Sequence, residues 1–227
     1  MVKITLPDNS TKNFDSLISI DDVAAEIGKG LFKATVAGKV DGILKDGSDI
    51  LDKDCALEIV RNVDQEGLEI IRHSCAHLFG HALKQLFPEA KMAIGPVIEN
   101  GFYYDIDFQE YDPSEINLSK IEKEFIRLCT SNLIFDRSEV SKKDAIKYFT
   151  EKGDEYKLEL IDGLEDGNIS FYKQGEFTDL CKGPHIPSSK FIKSFKLLNV
   201  AGAYWRGNEN NKQLTRLYAI SFPKQDL

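Results

Sequence analysis

Residues 68–87 read LEIIRHSCAHLFGHALKQLF and have the periodicity of a long helix. Apolar side chains recur at steps of three and four residues, which is the spacing of one helical face. Pro88 follows and cannot continue a helix, so we expect the helix to end before it. His73 and His77 lie four residues apart, so their imidazoles project from the same face, and His81 extends the row by a further turn.

A second segment, CKGPH at residues 181–185, places a thiol and an imidazole close together. Its Gly183 and Pro184 exclude a regular helix, so we expect a loop. The chain has only four histidines, and all of them lie in these two segments. Either segment alone is more often incidental than functional, but together they predict an active site or a metal site.

The type of site is open at this point. Two helical histidines and a Cys/His loop could form a tetrahedral zinc site, since zinc takes imidazole and thiolate ligands. A helical His-x-x-x-His also begins the zincin motif, in which a glutamate follows the first histidine and acts as the base. Ser74 occupies that position here, which argues against a metalloprotease.

Residues 1–62 have the pattern of a small independent unit. Ser19 followed by Asp22 indicates the start of a helix, and Gly28 and Gly30 indicate its end. The predicted elements are strands at 3–6 and 12–14, a helix over 23–27, and strands at 32–36, 39–44 and 57–60. Two strands, a helix and further strands follow one another in the order of the β-grasp fold, the ubiquitin-like architecture.

A short polar break at residues 62–67 marks the expected domain boundary, after residue 62. Residues 63–227 alternate helical and strand-like runs, which predicts an α+β domain with an antiparallel sheet. Beyond the long helix, the predicted elements are strands at 92–97 and 101–107 around an Asn100-Gly101 turn, helices at 119–129 and 142–152, and strands at 169–172, 196–200 and 213–219.

The composition is that of an ordinary globular protein, with 42% apolar and 29% charged residues among 227. No apolar run approaches the ~20 residues of a membrane span, and the start has no signal-peptide character. We therefore expect a cytoplasmic protein without a membrane partner. The net charge of −8 argues against nonspecific nucleic-acid binding, which needs a basic surface, but not against a nucleic acid held by a local basic patch.

Three further residues could complete a cleft. Asp179 could accept a proton or orient an imidazole, and Lys157 could hold a carbonyl or a carboxylate. Tyr104 lies in an aromatic strand. On the chain alone, a solvated lysine at a strand edge is the more common interpretation of Lys157. Neither a phosphate-binding GxxxxGK[ST] loop nor a GxSxG motif occurs, so any hydrolysis would use activated water.

Four long motifs resemble those of bacterial threonyl-tRNA synthetases. They are IIRHSCAHLFGH at residues 70–81, MAIGPVIENGFYYD at 92–105, DLCKGPH at 179–185 and AGAYWRGN at 201–208. Residues 1–62 resemble the TGS domain of that family, and residues 63–227 resemble its editing domain. No class II ATP-binding signature is present. The resemblance therefore implies a piece of a longer enzyme, with the missing aminoacylation and anticodon-binding domains as its partners.

The resemblance implies hydrolysis of seryl-tRNA(Thr), the product of mistaken serine activation. Serine is threonine minus one methyl group, and a missing methylene changes binding in a pocket by only ~1–3 kcal/mol, or about 10–200-fold. A second site can hydrolyse the smaller ester while the extra methyl group excludes threonine. The expected partner is thus tRNA(Thr) carrying serine.

The same resemblance assigns roles to residues. Lys157 and Asp179 would position or activate water and assist the leaving ribose oxygen, and His73 would contact the ribose of the terminal adenosine. The implied catalytic residues are therefore His73, Lys157 and Asp179, and the implied substrate-binding residues are His77, Tyr104, Tyr172, Cys181 and His185. Alanine-specific relatives use the His/Cys cluster for zinc, whereas threonyl-type domains are similar to metal-free hydrolases, so we expect no metal and no cofactor.

Two other functions stay open on the sequence. One is a noncatalytic tRNA-binding module whose cluster is structural or stabilised by zinc. The other is a free-standing deacylase of the alanyl type, which shares the His-x-x-x-His and Cys-x-x-x-His skeleton. Such deacylases lack the AGAYWRG run and the N-terminal unit found here.

Overall fold

The computed structural model of the chain describes residues 1–167 and 169–222. The last five residues of the predicted second domain, 223–227, lie outside this described part. The fold is α+β, as predicted, and combines a small N-terminal unit with a larger one built on antiparallel sheets. None of the helices in the described ranges is long and apolar enough to cross a membrane.

The N-terminal unit is a five-stranded sheet with two helices. Its elements are β1 (Val2–Thr5), β2 (Thr11–Phe14), β3 (Ile18–Ser19), α1 (Ile20–Ile27), α2 (Lys29–Ala34), β4 (Thr35–Val40), β5 (Ile43–Asp46), β6 (Ile50–Leu51) and β7 (Cys55–Arg61). The sheet order is β2-β1-β7-β4-β5, with β1 and β7 parallel, and β3 pairs with β6 beside it. The predicted β-grasp fold is confirmed.

Helix α1 begins where the sequence predicts it. The Ser19 hydroxyl accepts the backbone N–H of Asp22 at 3.1 Å and donates to its carboxylate at 2.6 Å, which caps the helix. The strand predicted at 32–36 is wrong in its first half, because residues 29–34 form α2. Gly28 ends α1 and allows a new helical turn to start, and the strand begins only at Thr35.

The described residues of the second unit form four helices and eight strands, with three short 3₁₀ turns. Its elements are α3 (Gln65–Leu86), β8 (Lys91–Ile94), β9 (Val97–Ile98), β10 (Gly101–Asp107), α4 (Leu118–Thr130), β11 (Asp136–Glu139), α5 (Lys142–Glu151), α6 (Glu155–Asp162), β12 (Ser170–Gln174), β13 (Phe177–Leu180), β14 (Ser194–Tyr204) and β15 (Gln213–Phe222). Strands β14-β15-β10-β8 form one sheet, with β9 on β10, and β11-β12-β13 form another.

Most of these elements match the predicted ones. The long helix is confirmed, α4 is N-capped by Asn117, and β9 and β10 pair around the predicted turn. Strands β11 and β13 and helix α6 were not predicted, because each is short and only partly apolar. Helix α6 packs beside β8.

Helix α3 joins the two units through one continuous core. Val36 and Val60 of the N-terminal sheet pack in the same buried cluster as Ile70 and Ile71 of the helix. At Gly67 the helix backbone passes so close to β7 that an added Cβ would lie 1.9 Å from the Arg61 carbonyl oxygen. The contact between the units therefore requires glycine at this position.

We expect Gly67→Ala to destabilise the chain by about 1–3 kcal/mol, because the added methyl group forces α3 away from the Arg61 backbone. The measurement is the free energy of unfolding from urea melts.

Gly30→Ala is the matched control, since a Cβ at Gly30 meets nothing within 4 Å and the residue lies in helix α2. Its free energy of unfolding should stay unchanged or rise by up to ~1 kcal/mol. Equal effects of the two substitutions would contradict the close contact at Gly67.

Candidate active site

A cluster of three side chains forms where α3 meets the loop after β13. The Cys181 Sγ lies 3.2 Å from the His73 Nε2 and 3.1 Å from the His185 Nε2. The rings of His73 and His185 stack with their centroids 4.4 Å apart. His77, one turn further along α3, lies with its ring centroid 4.9 Å from that of His185. The structure thus brings both predicted segments together.

Ser74 sets the tautomer of His185. Its hydroxyl donates to the Ile70 carbonyl at 2.8 Å and accepts the Ile186 N–H at 3.0 Å, so it can only accept from the His185 Nδ1 at 2.9 Å. Burial, with His73 and His77 nearby, holds the pKa of His185 well below its usual value. The neutral ring therefore carries its proton on Nδ1, and its Nε2 accepts the Cys181 S–H.

A carboxylate from the N-terminal unit supports the same loop. Asp46, at the end of β5, accepts the backbone N–H of His185 at 2.9 Å with Oδ1 and the hydroxyl of Tyr172 with Oδ2. Burial raises the pKa of Asp46, and these two hydrogen bonds act against that rise. Gly183 lies in the left-handed region, at φ 70°, and a Cβ there would meet the Tyr172 hydroxyl at 1.8 Å.

Lys157 and Asp179 form a buried ion pair close to this cluster. The Lys157 Nζ lies 2.9 Å from the Asp179 Oδ2, and both residues are about 95% buried, with exposures of 4% and 5%. The Tyr104 hydroxyl donates to the same carboxylate oxygen at 3.3 Å, and the Leu180 N–H donates to Oδ1 at 2.8 Å. Burial and the Asp179 charge raise the pKa of Tyr104 well above its usual value, so it stays a donor.

The interpretation of Lys157 as a solvated strand-edge lysine is wrong. It lies on α6, which Asp154 caps by accepting the Lys157 N–H at 3.1 Å. The helix was missed in the sequence because only eight residues form it and its apolar pattern is short.

One cavity of about 340 Å³ collects most of the predicted site residues. Gly95 and Pro96 form part of its wall, opposite α3. Six predicted residues line it: His73, His77, Tyr104, Lys157, Asp179 and Cys181. The other two, Tyr172 and His185, are fully buried behind the wall, where they contact each other and Asp46.

Two residues of this arrangement escaped sequence reasoning. Ser74 was noted only for replacing a glutamate, although a serine facing inwards on a histidine-rich helix is a signal for a buried hydrogen bond. Asp46 gave no signal, because Asp46-Gly47-Ser48 has the composition of an ordinary turn. Its role depends on a contact with a residue 139 positions later.

The cluster has donors that suit a metal ion. One ligand atom each from His73, Cys181 and His185 lies within 4.8 Å of the others. The Nε2 of His77 is buried without a hydrogen-bond partner among the described residues, but His77 does not belong to this group of three. Imidazole nitrogens and a thiolate are the ligands of structural zinc, so these residues fit that ion.

His81 lies outside the cluster. Its ring stacks on Phe177 at 5.5 Å between centroids, and its Nε2 lies 3.2 Å from the Gln85 Nε2. It lines a separate cavity of about 280 Å³ on the other side of Asp179. Burial and, less strongly, the Arg127 charge lower the pKa of His81 to about 4.

This lowered pKa predicts a pH-dependent stability. The unfolded chain protonates His81 near pH 6.5, whereas the folded chain protonates it only near pH 4. The free energy of unfolding therefore decreases as the pH falls below about 6.5. Between about pH 7 and about pH 5, wild type should lose about 1–2 kcal/mol more of its free energy of unfolding than His81→Gln. Parallel urea-melt profiles of the two proteins would refute this.

Comparisons with known proteins identify the family of the chain. Residues 2–61 match the TGS domain family, and residues 169–218 match the family described as the threonyl and alanyl tRNA synthetase second additional domain. The threonine–tRNA ligase of Cytophaga hutchinsonii is 49% identical over 225 residues, which cover 99% of this chain and 35% of that protein.

Two further threonine–tRNA ligases are equally similar. That of Paracidovorax citrulli is 49% identical over 230 residues, which cover 100% of this chain and 36% of the relative. That of Clostridioides difficile is 49% identical over 225 residues, with 99% and 35% covered. The chain spans about a third of the length of these curated relatives. It therefore belongs to the bacterial threonyl-tRNA synthetases and represents their N-terminal region, with the TGS domain and the second additional domain.

Proposed function

We propose that this region edits: it hydrolyses the ester of seryl-tRNA(Thr) and spares threonyl-tRNA(Thr). The observation that carries the proposal is the buried Lys157–Asp179 pair, which lines the same cavity as His73, His77 and Cys181. Burying an ion pair beside a cavity costs desolvation free energy. Charged groups buried at such a cost are found most often in catalytic sites.

Hydrolysis needs few groups. The water oxygen forms a bond to the carbonyl carbon of the seryl ester, and the bond to the ribose oxygen breaks. The water gives up one proton to Asp179, and the departing ribose oxygen takes one from Lys157, so a proton passed from Asp179 to Lys157 restores the pair. We assign the orientation of the water to Asp179 and the donation towards the ribose oxygen to Lys157. His73, at the cavity rim beside the loop, contacts the ribose of the terminal adenosine.

The remaining polar groups recognise the seryl moiety. Tyr104, His77 and Cys181 line the cavity, while Tyr172 and His185 hold its wall in place. Selectivity comes from size, because the cavity need only exclude the extra methyl group of threonine. We further propose residues 1–62 and 63–227 as the two domains, a cytoplasmic location, and the aminoacylation and anticodon-binding domains of the parent enzyme as partners.

Lys157→Met tests the assignment of the ion pair, since methionine keeps the length of the side chain and removes the charge. We expect kcat for seryl-tRNA(Thr) hydrolysis to fall by about 10²–10⁴-fold, which is the usual contribution of a positioned proton donor. Single-turnover deacylation measures the rate, and threonyl-tRNA(Thr) serves as the second substrate.

Lys147→Met is the matched control, because Lys147 is an exposed lysine of the neighbouring helix α5. It should hydrolyse the ester at the wild-type rate. Wild type without seryl-selective hydrolysis at high enzyme concentration would overturn the proposed function, and full activity of Lys157→Met would overturn the role of the pair.

A noncatalytic, zinc-stabilised module is the second candidate, and the geometry of His73, Cys181 and His185 favours it. Zinc held there would contribute stability, because its binding free energy adds to that of folding. We propose instead that the cluster works without metal and that the Cys181 thiol pairs with the His185 Nε2, 3.1 Å away.

Metal analysis of the chain purified without added zinc separates the two candidates. We expect far less than one zinc per chain and the same melting temperature with and without a chelator. Near-stoichiometric zinc, together with a large loss of stability in the chelator, would establish the zinc-stabilised module instead.

A further inference from the structure

We propose that Asp46 of the TGS domain is a positioning residue for the editing site, so that the N-terminal unit takes part in its chemistry. This inference rests on the proposed editing function. Asp46 does not line the cavity, and it acts through two residues that form the wall behind it, His185 and Tyr172.

The carboxylate matches two donors at once. Its Oδ1 accepts the His185 backbone N–H at 2.9 Å, and its Oδ2 accepts the Tyr172 hydroxyl. Asp46 is 8% exposed, so both bonds form in a setting where water does not replace them. A carboxylate accepts from both donors at once, whereas an amide offers one acceptor oxygen and would have to reverse the second bond by donating an N–H to the tyrosine oxygen.

The effect reaches the cavity through His185. The ring of His185 accepts the Cys181 thiol at 3.1 Å and stacks on His73 at 4.4 Å between centroids. Ser74 fixes the ring at Nδ1 and Asp46 fixes the backbone, so the two anchors together define where the imidazole lies. Without Asp46, His185 keeps the anchor of its ring on Ser74 and loses the anchor of its backbone, so the imidazole beside His73 and Cys181 is less firmly placed.

Tyr172 links this anchor to the sheet. Its ring packs edge-on against His185 at 4.4 Å between centroids, and its hydroxyl fills the space beside Gly183 that a Cβ would occupy. The carboxylate therefore ties together the loop and strand β12, which enter the site from different directions. If packing alone held these groups, they could shift by small distances, and such shifts lower the reaction rate.

Asp49 provides a matched control on the same unit. It lies three residues further along the chain, is also partly buried, and faces Arg137 of β11 at 3.6 Å between Nη1 and Oδ1. It thus spans the two units without a hydrogen bond to His185 or Tyr172 among the described residues, although Arg137 is the cross-strand neighbour of Tyr172. Asp49→Asn weakens the contact between the units in general, whereas Asp46→Ala removes the two specific hydrogen bonds.

The first readout does not depend on activity. The chain has four histidines, so a histidine-ring ¹H–¹³C NMR spectrum of the full 227-residue chain is simple to assign. We expect Asp46→Ala to move the His73 and His185 resonances and to leave those of His81, which lies in a different cavity. Asp49→Asn should leave all of them in place. Asp46→Asn keeps one acceptor oxygen and should give smaller shifts. It replaces Asp46→Ala in the experiment if that variant does not fold.

The second readout is kinetic. We expect Asp46→Ala to lower kcat for seryl-tRNA(Thr) hydrolysis by about 10–100-fold with little change in KM, as for a displaced catalytic geometry. Asp46→Asn should recover part of that loss, and Asp49→Asn should match wild type. A purely structural role would lower the melting temperature without this split between kcat and KM.

The outcomes separate the two proposals. Unmoved His73 and His185 resonances in a folded Asp46 variant overturn the positioning role, and so do equal shifts in Asp49→Asn. Shifts confined to the Asp46 variants support it even if wild type hydrolyses no seryl ester, and in that case the editing proposal alone fails.

Discussion

The structure depends on how polar groups buried in the middle of helix α3 find partners. Ser74, His77 and His81 are all withdrawn from water on one helix, and a buried polar group without a hydrogen bond costs roughly 1–3 kcal/mol. The helix cannot satisfy side chains with its own backbone beyond the Ser74 bond to Ile70. The loop after β13 supplies the partners of Ser74, which are the His185 ring and the Ile186 N–H, and so α3 sets the position of that loop. His81 instead faces Gln85 of the same helix.

The same constraint applies to the ion pair, and an unpaired buried charge costs more free energy than an unpaired neutral group. Lys157 and Asp179 are two opposite charges in a nearly dry site, and each would be expensive to bury alone. Tyr104 and the Leu180 N–H donate two further hydrogen bonds to the carboxylate, which leaves Oδ1 able to accept one more. The pair therefore carries no net charge. Its ammonium and carboxylate groups are nevertheless held at fixed positions on the cavity wall.

Long, periodic and motif-rich features were predictable from the sequence. The α3 helix, the Cys181–His185 loop and the β-grasp order follow from spacing and from turn residues, which are local properties. What the sequence did not reveal depends on distant contacts. Lys157 looked solvated because eight residues of α6 show little periodicity, and Asp46 looked like a turn residue because its partners lie far along the chain. When an element far along the chain buries a short segment, the sequence of that segment does not show the burial.

The long separation between the partners of the site also affects how the protein is made. His73 and Cys181 are 108 positions apart, and Asp46 and His185 are 139 apart. During synthesis from the N-terminus, the TGS unit and α3 emerge well before the loop that completes them. The face of α3 that packs against this loop therefore stays exposed until the loop has been synthesised. Contacts between residues far apart in the sequence also form slowly, which prolongs the exposure. In the nascent chain, α3 is therefore the segment most in need of protection from premature association.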